Sequence, residues 1–180
     1  MVTISASGSK LVERALEPHP DHAELRESFG RFASGVTIIS GMDGREPIGF
    51  TCQSFHSVSL DPPLISIGVM SSSTSYPRLR ASGSFCVNVL ADHQHELAVR
   101  FGRRGEDRWR GLEHARTARG NPLIPGVVTA FECLIVDEHL VGDHLLVIAE
   151  VATVHSQQHV PPPLVYFRSC FRELAEPDRD

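Results

Sequence analysis

The sequence has no apolar run approaching the roughly 20 residues that a membrane-spanning helix needs; its longest candidates are interrupted by Gly, Asp or His. Residues Met1–Ser9 are polar and lack the apolar core of a secretory signal. A cytoplasmic location, with no membrane partner, is therefore the default expectation. Four cysteines occur, Cys52, Cys86, Cys133 and Cys170, and none forms a C-x-x-C pair. Three lie in or beside apolar strand-like runs, where free thiols act as small buried hydrophobes. No G-x-G-x-x-G follows a strand, no Lys-Ser/Thr pair ends a Gly-rich loop, and neither H-E-x-x-H nor G-x-S-x-G is present. The usual signatures of a doubly wound dinucleotide fold, a P-loop, a zinc protease and a serine hydrolase are thus missing. His93 and His95, on one helix, would point about 200° apart and could not share an ion, so no metal is expected. Basic charge is not in excess: 17 Lys and Arg stand against 22 Asp and Glu, a net charge of −5. That argues against a nucleic-acid partner.

What is present suits one domain. The 180 residues are 41% hydrophobic and 22% charged, enough to build a sizeable core without disulfides or metals. Residues 1–21 carry Gly8, Pro18 and Pro20 with no clean period and read as an arm; 22–175 form the domain, and 176–180 a charged tail. Leu25, Phe29 and Phe32 recur at helical spacing behind Asp21, a plausible cap, and Gly35 follows as a stop. Val36–Ser40 and Pro47–Thr51 read as strands around the Asp43-Gly44 turn. Phe55–Leu60 is half-alternating, and Asp61-Pro62-Pro63 demands that a sheet end or bulge there. Leu64–Val69 and Phe85–Leu90 are further strands, with a short helix from Tyr76 to Ala81 between them. Asp92 is placed to cap a helix over His93–Phe101. Residues 103–126 lose the pattern and leave room for one helical turn. Val127–Leu140 and Leu145–His155 make a long hairpin, and Pro161-Pro162-Pro163 is a stiff link to a last strand at Leu164–Arg168.

Seven or eight strands against two or three short helices, without regular alternation, indicate a mainly β protein. An antiparallel barrel, closed or half-closed, with a few flanking helices best resolves the exposed-edge problem.

Three segments could carry chemistry. Thr51–Ser59 is dense in short hydroxyls between two strands. It suits either a planar heterocycle or phosphate, or a solvent-facing edge with no ligand. Ser71–Ser75, ahead of a short helix, suits an anion or a polar loop equally. His144 follows Gly142-Asp143 at a hairpin mouth, where a carboxylate could orient the imidazole, although a surface histidine would look the same. Arg100, Arg103, Arg104, Arg108 and Arg110 form a local basic cluster able to serve one phosphate group. Trp109 beside them reads as a packing anchor before a stacking platform.

The order and spacing of several segments resemble the flavin reductase-like family of split-barrel FMN-binding proteins, from about Leu25 to Leu174. The marks are Arg31–Thr37, Gly49–Leu64 with Ser54–Leu64 at its centre, Ser84–Leu90, Arg100-Phe101, Gly142-Asp143-His144 and Pro163–Arg168. The resemblance implies an NAD(P)H-dependent reductase that passes hydride to FMN or FAD and supplies a partner flavin-dependent monooxygenase. The alternative is a flavin-binding split barrel without nicotinamide-dependent turnover. NADH or NADPH would be the donor, and a homodimer is implied. Flavin-binding candidates are Thr51, Cys52, Gln53, Ser54 and Ser57 for the ring and ribityl chain, and Ser71, Ser72, Ser73, Thr74 and Tyr76 around the phosphate. Arg100, Arg104, Arg108 and Tyr166 complete the set. His144 would lie by the nicotinamide as an orienting residue. Cys52, Gln53, His56, Ser169 and Phe171 depart from the family pattern, the last two standing where Gly and Tyr are common.

Overall fold

The computed structural model describes residues 20–105 and 107–174; most of the expected arm, 1–19, and the 176–180 tail lie outside the described residues. Helix α1 spans His22–Phe29, and Asp21 caps it as expected, its Oδ1 accepting from the Ala23 and Glu24 N–H groups at 2.8 Å. The strands are β1 (Ser34–Gly35), β2 (Thr37–Asp43), β3 (Glu46–Cys52), β4 (His56–Leu60), β5 (Pro63–Met70) and β6 (Ser84–Val89). They continue as β7 (Ala115–Arg116), β8 (Pro122–Leu123), β9 (Thr129–Val141), β10 (His144–Ser156), β11 (Val165–Phe167) and β12 (Cys170–Arg172). Helix α2 is Tyr76–Arg80, and α3 is His95–Gly102.

The fold is mainly β, and all the strand pairs are antiparallel. One seven-stranded sheet has the order β3-β2-β6-β9-β10-β5-β4. Its edges, β3 and β4, are consecutive in the chain and joined only by Gln53, Ser54 and Phe55. A three-residue link spans at most about 10–15 Å, so the sheet must curl until its two edges nearly meet. The result is a split barrel. The 13-residue strands β9 and β10 run side by side through its wall, with two register shifts that let so long a ribbon bend.

Strands buried on both faces explain the near-continuous apolar runs in the sequence. Ile39, Ile67, Phe85, Val87 and Val147 point into the barrel. Their neighbours Ile38, Cys86 and Leu90 face outward into a second cluster with Ala98 and Phe101 of α3, Ile124 and Leu164. Cys52, Cys86 and Cys133 are buried and Cys170 is exposed. Burial pushes the Cys86 thiol up to about 12, the nearby Glu132 carboxylate adding to the effect.

Several boundaries differ from expectation. Pro63 does not end a strand; it opens β5, paired with Leu60 across a tight turn, where its missing N–H falls at a strand's first position. Asp92 lies inside a 3₁₀ turn, Asp92–Gln94, and the Gln94 side chain instead accepts from the Ala91 N–H. Among the described residues, 103–126 hold turns and the β7–β8 pair, with no helix. That excursion is pinned by buried polar groups: Asn88 Oδ1 accepts from the Ile124 N–H, and Ser40 Oγ donates to the Pro122 carbonyl. The last strand is followed by another, so β1, β11 and β12 form a separate three-stranded sheet.

The β11–β12 turn places Arg168 and Ser169 at φ 50° and 60°. Two consecutive positive φ values define a type I′ hairpin turn, which favours glycine at its second position. Ser169→Gly should relieve about 0.5–1 kcal/mol of backbone strain and raise the melting temperature by about 1–4 °C. Calorimetry showing no rise would mean the turn is not strained in solution.

Candidate functional site

A cleft of about 490 Å³ opens where the sheet fails to close. The end of β3 supplies Phe50, Thr51 and Cys52, and the edge-to-edge link adds Gln53 and Ser54. From the other side come Gly68, Val69 and Met70 of β5. Ser54 sits opposite Gly68 if the β4–β5 register of His56 with Ser66 is continued. Its hydroxyl donates to the Gly68 carbonyl at 2.9 Å and accepts from the Gly68 N–H at 2.8 Å. One side chain thereby replaces the ladder that the backbone cannot make, and a Cβ on residue 68 would lie 3.2 Å from Ser54 Oγ. Thr37 and Thr51 hold the other bank, their hydroxyls donating to the carbonyls of Cys52 at 2.8 Å and of Ala98 at 2.6 Å. The Cys52 thiol, 3.2 Å from Ser54 Oγ, is pushed up by burial and stays protonated.

The opposite end of the cleft is polar and cationic. Ser73, Thr74 and Ser75 line it ahead of α2, together with Arg104 and Arg108 beyond α3, and no carboxylate lines it among the described residues. Ser73 Oγ accepts from the Tyr76 N–H at 3.2 Å, which holds the loop against the helix. Arg108 Nη1 donates to the Gly49 carbonyl at 2.6 Å and to Ser75 Oγ at 2.9 Å, so this cation bridges β3 and the serine loop. Arg104 Nη2 lies 3.4 Å from Ser72 Oγ.

His144, the first residue of β10, reaches the cleft from the hairpin. Gly142, at φ 61°, makes the tight two-residue turn before it. His144 Nδ1 is 2.7 Å from Asp143 Oδ1. The hydrogen bond and charge of His144 hold the Asp143 carboxyl below its ordinary value. A carboxylate only accepts, so Nδ1 carries the proton and Nε2 is left for a ligand. The carboxylate's share of this pairing is present above the ordinary carboxyl pKa and is lost only as pH falls through the lower, folded-state value.

Of the expected residues, Thr51, Cys52, Gln53, Ser54, Ser73, Thr74, Arg104, Arg108 and His144 come together in this one cleft. Ser72 adjoins it through Arg104, and the Ser71 N–H donates to the Asp143 carbonyl at 2.9 Å. The others are placed elsewhere. Ser57 is exposed on β4. Tyr76 is buried and donates from its hydroxyl to Glu138, which also pairs with Arg80 at 2.6 Å, so it anchors α2 to β9. Arg100 donates to the carbonyls of Asp107 and Arg110, fastening the loop after α3. Tyr166 packs edge-on against Phe171, 5.3 Å away, in the outer cluster. Sequence reasoning missed Phe50, Gly68, Val69, Met70, Phe101 and Gly102, while Ser75 lies in the serine run it singled out. Gly68 had a local signal, a glycine interrupting an apolar strand; Phe101, at the end of an ordinary amphipathic stripe, had none.

Residues 29–175 match the Flavin reductase like domain. The chain belongs to the flavin reductase-like family. The reductase subunit HsaB of a flavin-dependent monooxygenase from Rhodococcus jostii is 34% identical over 179 residues, 99% of this chain and 88% of that one. The actinorhodin polyketide dimerase of Streptomyces coelicolor is 36% identical over 155 residues, 86% and 87% of the two chains. Among solved structures, the NADH:FAD oxidoreductase SgcE6 of Streptomyces globisporus, in complex with NAD and FAD fragments, superposes with a TM-score of 0.82. It is 35% identical and covers 89% of this chain and 96% of that chain. The family's split barrel is therefore this chain's fold, and the likeness expected from about Leu25 to Leu174 differs from the matched span, 29–175, only at its ends.

The cleft suits the flavin that the family's name implies. Phe50, Val69, Met70 and Phe101 give a flat ring apolar walls, while hydroxyls and arginines, with no carboxylate among the described lining residues, suit a phosphate. Ser54→Ala should lower stability by about 1–2 kcal/mol, because two polar groups of Gly68 lose their partner. Ser57→Ala on exposed β4 should stay within about 0.5 kcal/mol. Equal denaturation midpoints for the two variants would show that Ser54 does not hold the split.

Proposed function

We propose that this protein is an NAD(P)H-dependent flavin reductase that delivers reduced flavin to a partner flavin-dependent monooxygenase. The observation that carries the reading is a single cleft with apolar walls, a cationic end with no carboxylate among the described residues, and an oriented histidine at its mouth. Thr51, Gln53 and Ser54 would hold the ring's polar edge, and Ser73, Thr74 and Arg104 the phosphate. Bound flavin supplies the hydride acceptor that no side chain can provide. The protein's work is positional: Asp143 fixes the His144 ring, which orients the nicotinamide over the cleft, and Phe50 and Phe101 exclude water from its floor. The relatives include reductase components of monooxygenases, which supports the partner.

The alternative is a flavin-binding split barrel without nicotinamide-dependent turnover; one relative is named for a different activity, polyketide dimerisation. Mixing pure protein with FMN or FAD and either nicotinamide separates the two. The reductase reading expects NADH or NADPH to be consumed; flavin binding without loss of either donor would overturn it. His144→Ala should slow turnover by about ten- to a hundredfold while shifting flavin Kd by less than about threefold. A variant that weakens binding while leaving turnover at saturation intact would remove His144 from its orienting role.

We further infer a homodimer. Met70 pairs with His144 and Gly68 with Leu146, so Met70, His144 and Leu146 share one sheet face. Met70 is 50% and Leu146 37% exposed, and a second copy covering them would dry the mouth of the cleft. Light scattering should return twice the mass of one chain; a monomer at micromolar concentration would refute this.

A further inference from the structure

Helix α2 has little to hold itself together. It is five residues long, and Ser75 ahead of it makes no side-chain cap among the described residues. So short a helix is unstable alone. Its two ends are clasped from outside by one carboxylate. Tyr76 and Arg80, four residues apart, lie on one helix face. The Tyr76 hydroxyl donates to Glu138 Oε1, and Arg80 Nε lies 2.6 Å from Glu138 Oε2. Burial first, then the bond and charge of Glu138, push the Tyr76 hydroxyl above its ordinary pKa, so it stays protonated and able to donate.

Glu138 stands where the strand pattern calls for an apolar residue. It pairs with Val147 across β9–β10, and Val147 pairs with Ile67 of β5; both neighbours are fully buried in the core. The Glu138 side chain is only 13% exposed. A carboxylate in such a place costs stability unless it is paired, and breaks in the apolar pattern concentrate where function requires them.

The same hairpin holds the other end of the serine loop. The Ser71 N–H donates to the carbonyl of Asp143, the neighbour of His144, at 2.9 Å. Ser73 Oγ accepts from the Tyr76 N–H at 3.2 Å. The loop is thus slung between the hairpin's tip, through Asp143, and its stem, through Tyr76 and Glu138. Arg108 ties Ser75 to β3 on the far side. Both hairpin ties lie on the ribbon that carries His144, so they fix how far the loop hydroxyls stand from that imidazole.

We propose that Glu138 is a positioning residue: through Tyr76 it holds the serine loop at the spacing from His144 that a phosphorylated flavin requires, and so sets the preference for FMN over riboflavin. Glu138 is not among the described residues that line the cleft; it acts through the loop. This rests on the reading of the serine loop as the phosphate end of the flavin cleft.

Titration of the full-length protein with FMN and riboflavin, followed by flavin fluorescence, tests it without turnover. Wild type should bind FMN about tenfold more tightly than riboflavin. Tyr76→Phe keeps the buried ring and removes only the donor. It should raise the FMN Kd about tenfold and leave riboflavin within about twofold. Glu138→Ala should match it, whereas Glu138→Gln, whose amide oxygen still accepts from Tyr76, should stay within about threefold of wild type for both flavins. Loss of both affinities by one factor, or a lowered melting temperature with the FMN-to-riboflavin ratio intact, overturns the proposal, since the clasp would then serve only the fold. A loss in Glu138→Gln as large as in Glu138→Ala overturns it too, because the charge facing Arg80 would then matter and not the bond to Tyr76. Wild type binding riboflavin as tightly as FMN removes the phosphate reading of the loop along with the proposal. Failure of both flavins to bind removes the flavin reading of the whole cleft.

Discussion

Strands β3 and β4 follow one another in the chain yet occupy opposite edges of the seven-stranded sheet. Three residues connect them, so curvature of the whole sheet is dictated by the reach of that link. The edges come close without forming a ladder, and the hydroxyl of Ser54 makes the two hydrogen bonds to Gly68 that a neighbouring strand would otherwise supply. A fully closed barrel would bury this seam under side chains. Here the seam stays open, and the cleft is what remains. Everything proposed about ligand binding depends on that unclosed gap.

The surroundings keep the gap in shape from outside. Tyr76, Glu138 and Arg80 lock α2 to β9, which fixes the serine loop at one end. Arg108 ties that loop to the Gly49 carbonyl, and Thr51 ties β3 to the last turns of α3. Arg100 fastens the following loop through its carbonyls. Several arginines that read as a phosphate cluster in the sequence therefore divide their labour: some hold backbone, and Arg104 lies exposed by the serine loop. Carbonyl acceptors are the reason, since a loop without secondary structure leaves them unpaired and guanidinium groups satisfy several at once.

Sequence periodicity was a good guide wherever burial has a regular period. The long β9–β10 hairpin, the α1 cap at Asp21 and the turn glycines at 44 and 142 were all legible, because local sterics and hydrogen bonding decide them. Residues 103–126 were illegible as a fold element. Their order comes from partners far away in the chain: Asn88, Ser40 and the buried carboxylate of Glu132, which accepts from Thr117, the Arg119 N–H and Asn121. The short strands β1 and β12 were missed for the same reason, since each is held by pairing with β11 and not by its own pattern.

The sequence by itself determined that this is a mainly β, antiparallel domain, and the family resemblance identified which hydroxyl-rich segments and which histidine to watch. Only the tertiary structure decided which of those residues meet. Hydroxyl side chains look alike along the chain, whereas Ser54 and Ser57 part company once one faces the seam and the other an exposed edge. Tyr76 and Arg100 likewise turn to Glu138 and to loop carbonyls because packing puts those partners within reach. Residue type fixes what a group can bond; the fold fixes what is near enough to bond with it.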